Sequence, residues 1–339
     1  MGSILEQQGY TVLDLDITDC AASPWGYNPL RHIRQQGGKY NEQDILTAAA
    51  CLVPIANDLE PFWDLATRML LECLIGYVLE CLPDEEHTPN IVARLLQEMS
   101  GKTFDVLFRE LEQLAPECFA VGRYKMYRLA DKADRMTVSI QGILATNLSP
   151  YMFDGARALF SNPQQIRFED LAERKTAVFL TVSDTDRSLD TLVTLFYAQA
   201  LQALCRYADK SPGCRLPALV RFILDDFAAN TRIPDFDATT SIIRSREISV
   251  SLIIQSLSQL DALYGSSRAK TILNNCDHCL YLGGQDVETA AYVSKKANKP
   301  TSDILNMPLG DAWLFTRDQL PQKVQKYRPE SHARYPASA

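Results

Sequence analysis

LVRFILDDFA, residues 219–228, decides the fold. A strand-length apolar run, broken only by Arg221, leads straight into two carboxylates, Asp225 and Asp226. Such runs suit strands buried on both faces, as in a parallel sheet, where ligands bind at the carboxyl ends of the strands. Delivered to that edge, the two acids have the geometry of a Walker B element. Asp225 would hold Mg²⁺ through its water shell, and Asp226 would orient or polarise an attacking water. The next apolar run, VSLII at 250–254, ends in Gln255, a neutral amide placed to contact a γ-phosphate or its water. Two strands ending in these groups form a nucleoside-triphosphatase constellation. The plainer alternative for the acids is a strand-end turn or a helix cap.

Further strand-length runs lie at YTVLDL (10–15), AVFLTV (177–182), CLYLG (279–283) and AWLFT (312–316). From residue 177 onward they alternate with helix-like stretches at 188–209, 238–246, 259–273 and 287–298, a βαβ rhythm. Between the first two strands the spacing is helical instead: 60–82, 89–99, 104–114 and 130–148, bounded by Pro83, Pro89, Gly101, Pro116 and Pro150. The expectation is an α/β chain with a mostly parallel sheet and helices on both faces, residues 4–44 and 165–320, carrying an inserted all-helical domain at 45–164. Residues 321–339 have little apolar content and read as a loose tail.

The chain's 339 residues suggest about two domains. Its 34 basic and 42 acidic residues leave a net charge of -8, with 22% charged and 46% hydrophobic residues, which excludes wholesale disorder and fibrous classes. The acidic balance argues against a bulk electrostatic grip on nucleic acid. The charge is unevenly placed, however: Asp58 to Glu86 holds eight acids against Arg68 alone, close to the whole net charge. That stretch is either a solvated helix face with an acidic loop or a docking surface for a basic partner, with Asp84, Glu85 and Glu86 at its tip. Nine scattered cysteines fit reduced thiols. The greasiest run, Leu70 to Leu82, contains Glu72 and Glu80 and is too short to span a bilayer. The opening Met-Gly-Ser resembles a cloning remnant, so the natural chain is expected to begin upstream.

Other motifs carry less. Gly101-Lys102-Thr103 has Leu96 where a phosphate loop needs glycine and follows a helix rather than a strand, so it reads as a helix terminator. Cys276-Asp-His-Cys279 lacks a second ligand pair, four histidines show no ligand spacing, and Gly283-Gly284 reads as a tight turn.

The stretches GYTVLDLD, YNPL (27–30), FWDLATRMLLECLIGYVL, LDDFA, IIRSREISVSLIIQSLSQLDALYG, ILNNCDHCLYLGGQDVETAAYVS and AWLFT, taken in order, resemble the TraG/TraD-like coupling ATPases of type IV secretion and conjugation. The resemblance implies a RecA-like P-loop NTPase core with an all-helical substrate-receptor insertion. It also implies ATP and Mg²⁺ as cofactors, homo-hexamers, and a place at the cytoplasmic face of the bacterial inner membrane through a segment that precedes this chain. The partners it implies are a relaxase or relaxosome, conjugative DNA and the secretion channel proteins, with a basic protein substrate at the insertion. Carried over by position, Asp225 and Asp226 match the Walker B pair and Gln255 the strand-end glutamine. Arg244 matches the arginine that reaches a neighbouring subunit's nucleotide. The second acid is more often Glu in that family, and Asp226 draws its carboxylate back by roughly 1.5 Å, which puts efficient hydrolysis in question. The family's phosphate loop lies before the strand at 10–15 and would fall upstream of residue 4. A P-loop-less binding scaffold without ATPase activity is the alternative function, and a Mg²⁺-dependent hydrolase built on the two aspartates alone is a third. The chain alone is expected neither to bind nor to hydrolyse ATP appreciably. Mg²⁺-dependent turnover by this chain that Asp225→Ala abolishes would contradict that.

Overall fold

The computed structural model describes residues 2–55, 59–98, 102–130, 134–227 and 232–332. The chain divides into two compact units, Met1–Val220 and Arg221–Ala339, so the main division falls inside the strand that precedes the paired acids.

The first unit opens with α1 (Gly2–Gln7) and β1 (Thr11–Asp16). A small hairpin follows, β2 (Gln35–Gln36) with β3 (Lys39–Tyr40), and then a run of helices. These are α2 (Glu42–Leu52), α3 (Phe62–Cys81), α4 (Pro89–Glu98), α5 (Lys102–Leu114), α6 (Phe119–Ala130), α7 (Asp134–Leu148), α8 (Asp154–Ser161) and α9 (Asp170–Glu173). β4 (Thr176–Thr181) returns parallel to β1 in the register Thr11↔Thr176 to Asp16↔Thr181, and α10 (Asp190–Lys210) closes the unit. Two strands far apart in sequence are thus paired across a helical excursion, as the spacing predicts. Sequence periodicity missed α6, whose apolar positions are interrupted by Arg123, Lys125 and Arg128.

The YNPL segment is structural. Tyr27 is fully buried and donates to Gln199 Oε1 at 2.6 Å, while Asn28 Nδ2 donates to the His87 carbonyl at 2.7 Å. Gly26 before it sits so close to the Leu159 carbonyl that a Cβ would lie 2.4 Å away. Sequence-distant elements are tied here through one short segment.

α3 is the axis of the helical run. Its 20 residues are apolar nearly all round, with Leu70, Leu71, Cys73, Leu74, Ile75 and Val78 buried, so neighbours must cover every face. Its acids are accordingly part of the packing. Buried Glu72 is ion-paired with Arg123 of α6, and burial pushes its carboxyl up against the pull of that guanidinium. Glu80 accepts the backbone N–H groups of Phe119 and Ala120, both at 3.0 Å, and so caps the start of α6. Gly76 lets the helices approach: a Cβ there would meet Phe119 Cδ1 at 2.8 Å. No described helix is long and apolar enough to cross a membrane.

From Arg221 onward, the second unit contains the rest of β5 (Val220–Leu224) paired with β6 (Ile248–Leu252), and a three-stranded sheet of β7 (His278–Tyr281), β8 (Asp311–Thr316) and β9 (Gln322–Gln325). The β5–β6 pair is parallel: Arg221 Nε reaches Ser249 Oγ at 3.4 Å near one end, and Ile253 N–H donates to the Leu224 carbonyl at the other. Three sequence expectations are corrected here. The 219–224 run is not buried on both faces, because Val220 and Leu224 are buried while Ile223 is 65% exposed. The β7–β8–β9 sheet is antiparallel, and its last strand lies within the expected loose tail. β9 is polar because it is an edge strand that needs backbone pairing more than burial. Finally, the helix expected over 259–273 breaks at Gly265, whose φ of +78° splits it into Leu257–Tyr264 and Ser266–Asn274.

Glu80→Ala should lower the unfolding free energy by about 1 kcal/mol, whereas Asp84→Ala, at an exposed position in the same acidic stretch, should leave it unchanged. Denaturant melts of the two variants check this.

Candidate functional site

The paired acids lie on a turn rather than on the strand proper. Ile253 makes two backbone hydrogen bonds to the other chain segment: its N–H donates to Leu224 O at 2.9 Å, and its carbonyl accepts from Phe227 N–H at 3.0 Å. Asp225 and Asp226 bulge out between those two bonds. The bulge requires a left-handed residue, and Asp226 supplies it with φ +48°, a conformation that aspartate tolerates better than most. The Asp226 N–H donates to Asp225 Oδ1 at 3.1 Å, closing the turn on itself.

Aromatic packing fixes the far side. Phe227, 3% exposed, lies against Phe236 at 5.0 Å between ring centroids and stacks on Tyr264 at 5.9 Å. Tyr264 in turn accepts the Ile233 N–H at 2.9 Å, and burial pushes its phenol up, so the hydroxyl stays protonated. Phe227 therefore anchors the acids from one residue away.

Gln255 joins them. Its Nε2 donates to Asp226 Oδ1 at 3.1 Å, across 29 positions of sequence. It stands just before Ser256, which caps the helix Leu257–Tyr264 by accepting the Gln259 N–H. From the first turn of that helix, Gln259 Nε2 approaches Gln255 Oε1 at 3.5 Å, and its own Oε1 is buried without a hydrogen-bond partner among the described residues. Sequence reasoning missed Gln259. Its signal is the spacing of four from Gln255, which places both amides at one helix start. Asp225 is exposed, and among the described residues its carboxylate makes only the bond within the turn, leaving hard oxygen donors of the kind Mg²⁺ takes through water. The described residues contain no group of three or more His, Cys, Asp or Glu placed to hold a metal directly.

Arg244 is not joined to this cluster. It sits on a short 3₁₀ turn, Ile243–Arg246, with its side chain 78% exposed, and its ion pair is with Asp277 at 3.4 Å. The CDHC segment contributes through that aspartate, while Cys279 is a β7 residue opposite Phe315. Lys102 begins α5 shortly after α4 ends at Glu98, so the described element before the GKT triplet is a helix; Gly101 lies outside the described residues.

The acidic stretch divides in the first unit. Glu72 and Glu80 hold helices together, Glu86 pairs with Arg94 at 3.4 Å, and Asp58 lies outside the described residues. Asp84 and Glu85 face an open cleft of about 1110 Å³ that is also lined by Arg31, Arg34, Arg167, Arg206 and Lys210. Arg34 on its lining also binds Asp44: burial disfavours the ionised form of that carboxyl, but hydrogen bonds from the Arg34 side chain and backbone outweigh it and hold the carboxyl below the usual range. His32, another lining residue, is pushed down to about 4 by burial and Arg206, so it is neutral at physiological pH. The tip of the acidic stretch is thus one lip of a mixed-charge cleft.

The chain resembles known proteins over nearly all its length. It is 25% identical to the protein VirD4 of Rhizobium radiobacter over 259 residues, 72% of this chain and 35% of the relative. It is 26% identical to VirD4 of Agrobacterium fabrum over 181 residues, 51% of this chain and 27% of that protein. It spans about a third of the length of these curated relatives. Among solved structures, the bacterial conjugative coupling protein TrwB lacking its first 70 residues, in an unbound form, superposes with a TM-score of 0.69 at 16% identity, covering 94% of this chain and 78% of that one. TrwB in complex with the ATP analogue ADPNP gives 0.68 at 16% identity over 94% and 79%. The shared architecture is a RecA-like α/β fold with an all-helical part. With the family model for type IV secretory system conjugative DNA transfer matching residues 1–308, the chain belongs to that family.

Proposed function

We propose that this chain is the motor core and helical receptor part of a conjugative coupling protein, and that Asp225, Asp226 and Gln255 serve ATP hydrolysis. The observation that carries the reading is the hydrogen bond from Gln255 to Asp226, which unites residues from two strand ends at one turn. ATP with Mg²⁺ supplies the transferable phosphoryl group and the charge that draws its oxygens into line. Asp225 fits the metal's water shell, since its carboxylate is exposed and little engaged. With its amide N–H₂ donated to Asp226, Gln255 presents a carbonyl oxygen, and Asp226 keeps its second oxygen. Both are acceptors, so a water donating to both would have its lone pair turned outward for attack. Phosphoryl transfer needs this positioning more than it needs covalent chemistry.

Arg244, exposed on its turn, is assigned the contact with nucleotide on a neighbouring subunit, within the homo-hexamer that the family resemblance implies. The phosphates require backbone amides and a lysine in a strand-loop-helix setting, whereas the GKT triplet follows the helix α4. We assign those to a segment upstream of residue 4, together with attachment to the inner membrane's cytoplasmic face. Residues 45–164 are assigned as the receptor for relaxosome or protein substrates bound for the secretion channel, with conjugative DNA handled by the core at residues 4–44 and 165–320. The alternative, a binding scaffold without ATPase activity, draws support from the absence of a strand-loop-helix phosphate site in the described residues.

In the chain joined to its upstream phosphate-loop segment, Asp226→Asn and Gln255→Ala should each lower kcat roughly 100-fold with nucleotide binding retained. Steady-state turnover beside equilibrium nucleotide binding checks this, and kcat within threefold of wild type for both variants would favour the scaffold. For the receptor, binding of a basic peptide should weaken with salt and fall most on charge reversal at Asp84 and Glu85. Reversal at Glu86, already paired with Arg94, should do less. Titration of a labelled oligolysine peptide against the variants reads this out.

A further inference from the structure

The CDHC segment leaves one group outside the proposed function. Asp277 is where two arginines from different elements meet. Arg244 Nη1 lies 3.4 Å from its Oδ2, and Arg317 Nε, just beyond β8, lies 2.9 Å from its Oδ1. The two are held very differently. Arg317 is bound to the same segment at two further points, its N–H donating to the Asp277 carbonyl at 2.9 Å and its Nη2 to the Asn274 carbonyl at 3.0 Å. Among the described residues the Arg244 guanidinium has the single, longer contact, and its side chain is 78% exposed.

The segment is also tied to the helix that leads to Arg244. Asn275 Nδ2 donates to Ser241 Oγ at 2.8 Å and approaches Thr240 Oγ1 at 3.3 Å, on the helix Phe236–Ile242. The turn that follows is closed by Glu247, whose left-handed conformation (φ +61°) lets its N–H reach the Arg244 carbonyl at 3.3 Å. The backbone of Arg244 is therefore fixed while its guanidinium is held lightly. Asp277 Oδ1 is buried and accepts no aligned hydrogen bond among the described residues, so its contact with Arg317 is one of charge rather than of bond geometry.

We propose that Asp277, neutralised by Arg317, is a positioning residue that presents Arg244 for capture by a phosphate outside its own chain. The proposal rests on the assignment of Arg244 made above. One carboxylate shared by two guanidinium groups leaves a net positive charge, so a polyphosphate competes well for the lightly held arginine. When Arg244 leaves, Arg317 stays, and no half-buried carboxylate is left unpaired. Arg317 thus lowers the cost of handing Arg244 over. Without it, Asp277 would depend on Arg244 alone and retain it.

The test is steady-state ATP turnover by the chain joined to its phosphate-loop segment, with circular dichroism and thermal melts confirming that each variant folds. Arg317→Gln and Asp277→Asn should each lower kcat roughly tenfold with KM for ATP unchanged, through misplacement of Arg244. Arg317→Lys, which keeps the charge, should restore most of the rate. Both losses should vanish in an Arg244→Ala background, because the two residues act only through Arg244. If Arg244→Ala leaves turnover intact, or the wild-type protein shows none, the assignment of Arg244 fails and this proposal with it. If Arg244→Ala lowers turnover tenfold or more while Arg317→Gln and Asp277→Asn stay within twofold of wild type, the positioning role alone is overturned. Losses of equal size with and without Arg244 would likewise overturn it, by showing a merely structural effect.

Discussion

Two backbone hydrogen bonds at Ile253, one to Leu224 and one to Phe227, decide the geometry of the second unit's site. They hold β5 against the exit of β6 while leaving Asp225 and Asp226 unpaired between them, so the acids project instead of joining the ladder. Phe227 is the counterweight: its ring, packed between Phe236 and Tyr264, keeps the bulge from relaxing into a longer strand. Asp226 bears the conformational cost, with a left-handed backbone that costs a non-glycine residue about 1 kcal/mol or more. A strained residue surrounded by fixed neighbours is what a preorganised carboxylate requires. Gln255 completes the arrangement because the helix after it starts at a side-chain cap, Ser256, that sets the direction of chain exit.

Charge in this protein does two unrelated jobs. Within the helical run, carboxylates are mortar: Glu72 balances Arg123 in a buried setting, and Glu80 ends the backbone deficit at the start of α6. On the cleft, Asp84 and Glu85 face arginines and a lysine across open space. Net charge averages the two and describes neither. In residues 58–86, Glu72 and Glu80 are taken up in packing and Glu86 by Arg94, so a count of acids overstates the charge this stretch offers to a partner.

Much of the fold was legible along the chain. Each strand-like run, from YTVLDL to AWLFT, became a strand within two or three residues of its expected ends, because branched apolar residues bounded by turn formers have few other stable uses. The long greasy helix was readable from its length and its two interrupting acids. α6 was not, since its buried face is defined by α3 opposite and not by its own periodicity. Nor was β9, a polar edge strand whose stability comes from backbone bonds to β8. Gly265 could have announced the break in its helix, but a lone glycine inside a helical pattern is ambiguous until its φ is known.

The sequence by itself determined the family, the order of elements and the residue types at the ends of β5 and β6, because local propensity and apolar spacing are written in consecutive residues. Only the tertiary structure decided which of those side chains meet. It joined Gln255 to Asp226, brought Arg244 and Arg317 to one carboxylate at Asp277, buried Glu72 against Arg123 and turned Glu80 onto the start of α6. The reason is physical: hydrogen bonds and ion pairs act over a few ångströms, and positions some 30 residues or more apart come that close only when the packing of other residues holds them there.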